Sequence, residues 1–271
     1  MNRRLSILRE IGLAPLWRSR QSVPAPAPHV EATSEHAKAP RSAGASAPVG
    51  PMTAGNGARR QASTALPARP VAPAVVTAAD RPVIDVRNAG WDTLEQAIRS
   101  CTACRLHERR TLAVPGVGDR KAEWLFVGEG PGAEEDLRGE PFVGQAGKLL
   151  DAMLAALGVA RGRGVYIANS VKCRPPGNRT PESDEIACCQ PYLERQIELL
   201  RPRIIVALGR PAAQSLLGGE IKIAAARGRT FDRQGIPVVV TYHPAYLLRN
   251  PSDKAKAWED LCFARDVLSG A

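Results

Sequence analysis

Aromatic side chains are scarce: Phe, Trp and Tyr together make up 4% of the 271 residues. An extended platform for stacking single-stranded nucleic acid needs several exposed aromatics, so that class of binder is not expected. Long apolar runs are missing too. None approaches the ~18 residues that a membrane span requires, and no contact with membrane is expected. The start Met1-Asn2-Arg3-Arg4 is basic, but Arg9 and Glu10 interrupt the apolar stretch that a secretory signal would need. A cytosolic protein is therefore expected, in which six cysteines serve as ligands or buried small side chains rather than as disulfides. Negative charge is in deficit: 27 Asp and Glu against 37 Lys and Arg give a formal charge of +10. That balance points to a polyanionic partner, nucleic acid first.

The chain divides by composition. Residues 21–85 are dominated by Ala, Pro, Ser and Gly, with few long apolar side chains. Such a segment buries too little surface to offset its ordering entropy and is expected to be a disordered linker. Ahead of it, residues 1–20 carry Leu5, Ile7, Leu8, Ile11, Leu13 and Trp17 among arginines, the composition of either a short docking peptide or an unstructured basic terminus. Residues 86–271 have globular composition. Helices are predicted over Thr93–Ser100, Lys148–Leu157, Pro181–Leu200 and Ser252–Leu268, with another entered through Gly209. Strands are predicted at Trp124–Val127, Val165–Ala168, Ile204–Leu208 and Pro237–Thr241. Strands alternating with helices imply an α/β fold with a parallel sheet covered on both faces. Ligands on such sheets sit beyond the carboxyl ends of the strands, and Glu129, Asn169 and His243 each fall just after one.

Four cysteines bracket these motifs. Cys101 and Cys104 form a C-x2-C pair, and Cys173 and Cys189 lie far downstream. Four thiolates hold either an all-cysteine zinc or an iron–sulfur cluster, and the open second pair suits zinc less well. Between the pairs run Gly128-Glu129-Gly130-Pro131-Gly132 and Pro141-Phe142-Val143-Gly144-Gln145-Ala146-Gly147. The first loop lacks both the G-x-G-x-x-G spacing and the Lys-Ser/Thr ending of a phosphate loop, so a nucleotide cofactor is not expected. Next come Asn169-Ser170-Val171-Lys172-Cys173-Arg174-Pro175-Pro176 and a loop, His243-Pro244-Ala245-Tyr246-Leu247-Leu248-Arg249.

From about Cys101 to Leu268, these motifs in this order resemble the family 4 uracil-DNA glycosylases, the iron–sulfur type. The resemblance implies a three-layer α/β/α sandwich on a short parallel sheet, and a monofunctional hydrolase acting on uracil-containing DNA. It implies a [4Fe–4S] cluster on Cys101, Cys104, Cys173 and Cys189. Cys189 is preferred to Cys188 because Cys189-Gln190-Pro191-Tyr192-Leu193 matches the family's pattern. Gly130 stands where Ala is more usual, and Glu140 where a basic residue is.

The resemblance also implies roles. A uracil in a duplex must be flipped out to be reached. Phe142 would stack on it, and Asn169 would read its edge, donating to O4 and accepting from N3–H. Amides of the Gly130 loop would approach O2. His243 would meet O2 as negative charge develops there, and Glu129 or Glu135 would orient the attacking water. Lys172, Arg174 and Arg249 are expected to contact phosphates, and at least one of Leu247 and Leu248 to wedge into the vacated stack. No helix-hairpin-helix with a nucleophilic lysine is evident, so strand cleavage is not expected. Rival readings are a non-catalytic iron–sulfur DNA-binding module and a polymerase-associated adaptor. Residues 1–20 resemble the N-terminal peptide of the bacterial clamp-loader psi subunit, which implies a clamp-loader partner. A monomer in the bacterial cytosol or nucleoid is expected.

Overall fold

The computed structural model describes residues 85–270. The docking peptide and almost all of the linker expected ahead of Asp85 lie outside the described residues. Six strands form one sheet: β1 (Val117–Gly118), β2 (Trp124–Gly128), β3 (Val165–Asn169), β4 (Ile204–Leu208), β5 (Thr230–Arg233) and β6 (Ile236–Thr241). Their order is β1-β3-β2-β4-β6-β5. The four central strands are mutually parallel, and β1 and β5 close the edges antiparallel.

The apolar runs form strands because both of their faces are covered. Leu125, Val127, Ile205, Ala207, Val238 and Val240 pack on one face against Leu193, Ile197, Ala212 and Leu216. Those partners belong to two helices, Ser183–Leu200 and Arg210–Leu217. The alternate residues Phe126, Ile167, Val206 and Val239 pack on the other face against Leu150, Leu154, Leu247, Leu261 and Ala264. These come from helices Gln145–Ala156, Pro244–Arg249 and Lys254–Ser269. The period-two alternation thus produces the three layers.

Both antiparallel edges escape the sequence reading. β1 has only two residues, too few for a pattern. β5 alternates exposed and half-buried residues, and joins β6 through Gln234 and Gly235, both at positive φ, as a tight hairpin turn does. The segment after His243, expected to be a loop, is a six-residue helix, Pro244–Arg249. His243 caps it and Pro244 occupies its first turn, where a missing N–H is harmless.

Candidate active site

All four central strands end at one cleft of about 550 Å³. Glu129 follows β2, Asn169 ends β3, Gly209 and Arg210 follow β4, and Tyr242 and His243 follow β6; all of them line the cleft. Gly130, Glu135, Phe142, Thr180 and Arg249 are also part of the wall.

Gly128 and Asn169 are register partners on adjacent strands. A Cβ on Gly128 would stand 2.5 Å from Asn169 Oδ1 and 2.6 Å from Phe142 Cζ. The bare glycine therefore allows the amide and the ring to share one space. Asn169 is 2% exposed, and its Oδ1 makes no hydrogen bond among the described residues. A buried acceptor without a partner is destabilising unless water or a ligand supplies a donor. Gly130 is explained in the same way: a Cβ there would approach Val171 Cγ2 to 2.7 Å.

Phe142 sits at φ +55°, a left-handed conformation that costs a non-glycine residue on the order of 1–3 kcal/mol. Its ring lies 5.4 Å from that of His243, tilted by 30°. Glu135 holds the loops around it. One carboxylate oxygen accepts the N–H groups of Val143 and Gly144 at 2.9 and 3.0 Å, and the other accepts that of Gly132 at 3.1 Å. His243 Nδ1 accepts the N–H of Ala245 at 3.1 Å. The neutral ring then carries its proton on Nε2. Enclosure, aided by the charge of Arg249 and opposed by that of Glu135, lowers the His243 pKa to about 4. Burial raises the pKa of Glu129, while a hydrogen bond from Thr180 and the charge of Arg210 restrain the rise.

The cysteines gather at a second, smaller cavity lined by Cys101, Cys104, Cys173, Cys188 and Cys189. No disulfide links them. Each of the four expected ligands has an N–H directed at its sulfur. Arg110 donates to Cys173 at 2.9 Å and the Ala103 amide to Cys101 at 3.5 Å. The Leu106 and Lys172 amides serve Cys104 and Cys189. Burial raises the thiol pKa values of Cys104, Cys173 and Cys189, that of Cys104 to about 11. Among the described residues, no group of three or more His, Cys, Asp or Glu side chains is drawn together to hold a single metal ion.

Residues 115–262 match the uracil DNA glycosylase superfamily. The chain belongs to that superfamily. A type-4 uracil-DNA glycosylase of Archaeoglobus fulgidus is 49% identical over 168 residues, 59% of this chain and 84% of the relative. Type-4 glycosylases of Pyrobaculum aerophilum and Thermotoga maritima are 45% and 46% identical. They match 62% and 61% of this chain and 89% and 86% of their own lengths. These similarities place the glycosylase in the type-4 group.

The glycosylase brings Glu129, Glu135, Gly130, Phe142, Asn169, His243 and Arg249 to one cleft. Two expected DNA contacts are corrected. Lys172 is 1% exposed, and its Nζ donates to the Asn169 carbonyl at 2.8 Å and to Gln196 Oε1 at 2.7 Å. It lies beneath the strand end instead of facing a phosphate. Leu247 is 1% exposed in the core, because it lies on the inner side of the unexpected helix; Leu248 is 43% exposed. Arg174 does not line the cleft; it is half-buried and donates to Asn178 Oδ1 at 2.7 Å. The carboxylate of Glu135 is occupied by three backbone amides, which makes it a holder of loops.

Arg210 and Thr180 were missed. Arg210 follows a strand and a glycine, as Glu129 does, and that rule applied to β4 would have found it. Thr180 reaches the cleft from a loop by tertiary packing, for which no local sequence signal exists.

Proposed function

We propose that this chain hydrolyses the N-glycosidic bond of deoxyuridine in DNA, releasing uracil and leaving the backbone intact, the first step of base-excision repair. The observation that carries the reading is the buried, unbonded Oδ1 of Asn169 at the cleft. Uracil N3–H is the donor it lacks. The Asn169 amide nitrogen then faces O4, and cytosine, which inverts both groups, is rejected by unpaired buried polar atoms.

Bond cleavage leaves positive charge on the sugar and negative charge on uracil. The Nε2–H of His243 donates to O2 as it becomes anionic, and the ring is neutral at working pH. Phe142 stacks on the base. Glu129 orients the attacking water and favours the cationic sugar. Glu135 positions the Gly132 and Phe142 loops. Arg249 and Arg210, on the cleft wall, contact phosphates. Leu248 is the wedge.

Cys101, Cys104, Cys173 and Cys189 would hold a [4Fe–4S] cluster. Directed N–H groups suit sulfurs that carry cluster charge. When bound, the cluster supplies cross-linking, joining the helix Trp91–Ser100 to the segment that carries Thr180. Residues 1–20 dock on a clamp loader, and the linker of residues 21–85 keeps the enzyme near it at raised effective concentration. Trp17→Ala then abolishes clamp-loader pulldown and leaves excision on naked oligonucleotides unchanged; retained pulldown refutes the docking.

The test of the function is incubation of the purified chain with a uracil-containing oligonucleotide. Free uracil should appear, with strand breaks only after alkali. Absence of uracil, or direct strand scission, would refute the proposal.

A further inference from the structure

The strained Phe142 loop is held on two sides by opposite charges. On the amide side stands the Glu135 carboxylate. On the carbonyl side stands Arg161, a residue outside every motif named above. Its Nη1 donates to the Pro141 carbonyl and its Nη2 to the Phe142 carbonyl, both at 2.8 Å. Asp151 fixes the guanidinium, accepting from Nε at 3.2 Å and from Nη2 at 3.0 Å. Arg161 belongs to the short turn between the helix Gln145–Ala156 and β3, and Asp151 lies on that helix. Behind the loop, Gly147 leaves room for the Phe142 carbonyl; a Cβ there would stand 1.8 Å from its oxygen.

We infer that Arg161 is a positioning residue for base recognition, which holds Phe142 left-handed so that its ring faces the cleft. This rests on the reading of Phe142 as the ring that stacks on extruded uracil. A left-handed phenylalanine persists only where its surroundings over-determine it. A planar guanidinium can bridge two successive carbonyls, and this one is pre-set by Asp151. A lysine offers a single ammonium head and can satisfy one carbonyl well. Loss of the bridge leaves two carbonyl oxygens without their donor and lets the Phe142 backbone relax. The ring then leaves its place beside His243.

The experiment uses the full chain labelled with 4-fluorophenylalanine. There are four phenylalanines, and Phe142→Leu assigns one of the four fluorine resonances. In Arg161→Ala the Phe142 resonance should shift or split while the other three stay, and Arg161→Lys should show a smaller change. In unlabelled protein, kcat/KM for uracil release should fall about 10- to 100-fold in Arg161→Ala, the range for lost charge-assisted hydrogen bonds. It should recover in part with lysine. In a Phe142→Ala background the same change should cost less than about threefold, because Arg161 acts through that ring.

A Phe142 resonance unchanged in Arg161→Ala overturns the inference. So does broadening of all four resonances together, which would mark a general structural role, or full multiplication of the two mutational effects. If the wild-type chain releases no uracil while the Phe142 resonance still moves, the glycosylase reading fails and the hold of Arg161 on Phe142 stands.

Discussion

His243 Nδ1 accepts the backbone N–H of Ala245 at 3.1 Å, so the residue that caps the helix Pro244–Arg249 also has its tautomer fixed. The pKa of about 4 adds a pH signature. A histidine whose folded pKa lies below its unfolded value of about 6.5 stabilises the fold above 6.5, and that contribution is lost as pH falls toward 4. Nitrogen NMR should find His243 neutral with its proton on Nε2 at pH 6, titrating near 4. Uracil release should show no inflection from this residue between pH 6 and 8. A proton on Nδ1, or titration near 6.5, would remove His243 as the neutral donor to O2.

Leu247 and Leu248 are neighbours in sequence with opposite surroundings. Leu247→Ala should destabilise the protein by about 2–5 kcal/mol, as a cavity in a packed core does. Leu248→Ala should change stability by less than about 0.5 kcal/mol. It should nonetheless slow excision from duplex more than from single strands, since only a duplex has a vacated stack to fill. Thermal unfolding together with excision on the two substrates separates them. An unstable Leu248→Ala, or an Leu247→Ala of normal stability that has lost duplex activity, would reverse the assignment.

Replacement of Cys101, Cys104, Cys173 or Cys189 by alanine should lower iron content, visible colour and soluble yield together. Cys188→Ala should retain all three. Anaerobic protein should carry about four irons per chain, and a chelator that strips them should lower the melting temperature. One zinc per colourless chain would contradict the cluster, and loss of iron in Cys188→Ala would move the fourth ligand.

Much of this architecture could be read from the sequence because the signals were local. Ile204–Leu208 is a run buried on both faces, and the other three central strands are likewise short apolar runs. Asn169, Glu129 and His243 could be read from a rule of position: they stand at or just beyond the carboxyl ends of strands. The helix after His243 was hidden because Pro244 suggests a turn as readily as a first helical residue. Its concealment misplaced Leu247, since only a helical period turns Leu247 inward and Leu248 outward. Lys172 was misread for a different reason. Charge in sequence predicts exposure, but two neutral acceptors, Asn169 and Gln196, satisfy it inside. The role of Arg161 leaves no mark in composition or period, because the groups it holds in the Phe142 loop are backbone carbonyls 20 and 19 residues upstream.

The most direct test of the central claim, that Asn169 reads uracil in this cleft, is single-turnover uracil release by Asn169→Asp, with binding to DNA bearing an uncleavable uracil analogue measured in parallel. An ionised carboxylate repels O4 and lacks the donor that the amide supplied. The account predicts at least about a hundredfold slower release, the scale on which a site built for hydrogen bonds rejects a mismatch. Stability should be near that of the wild type, and affinity for DNA without uracil should be unchanged. Release at the wild-type rate would contradict the account.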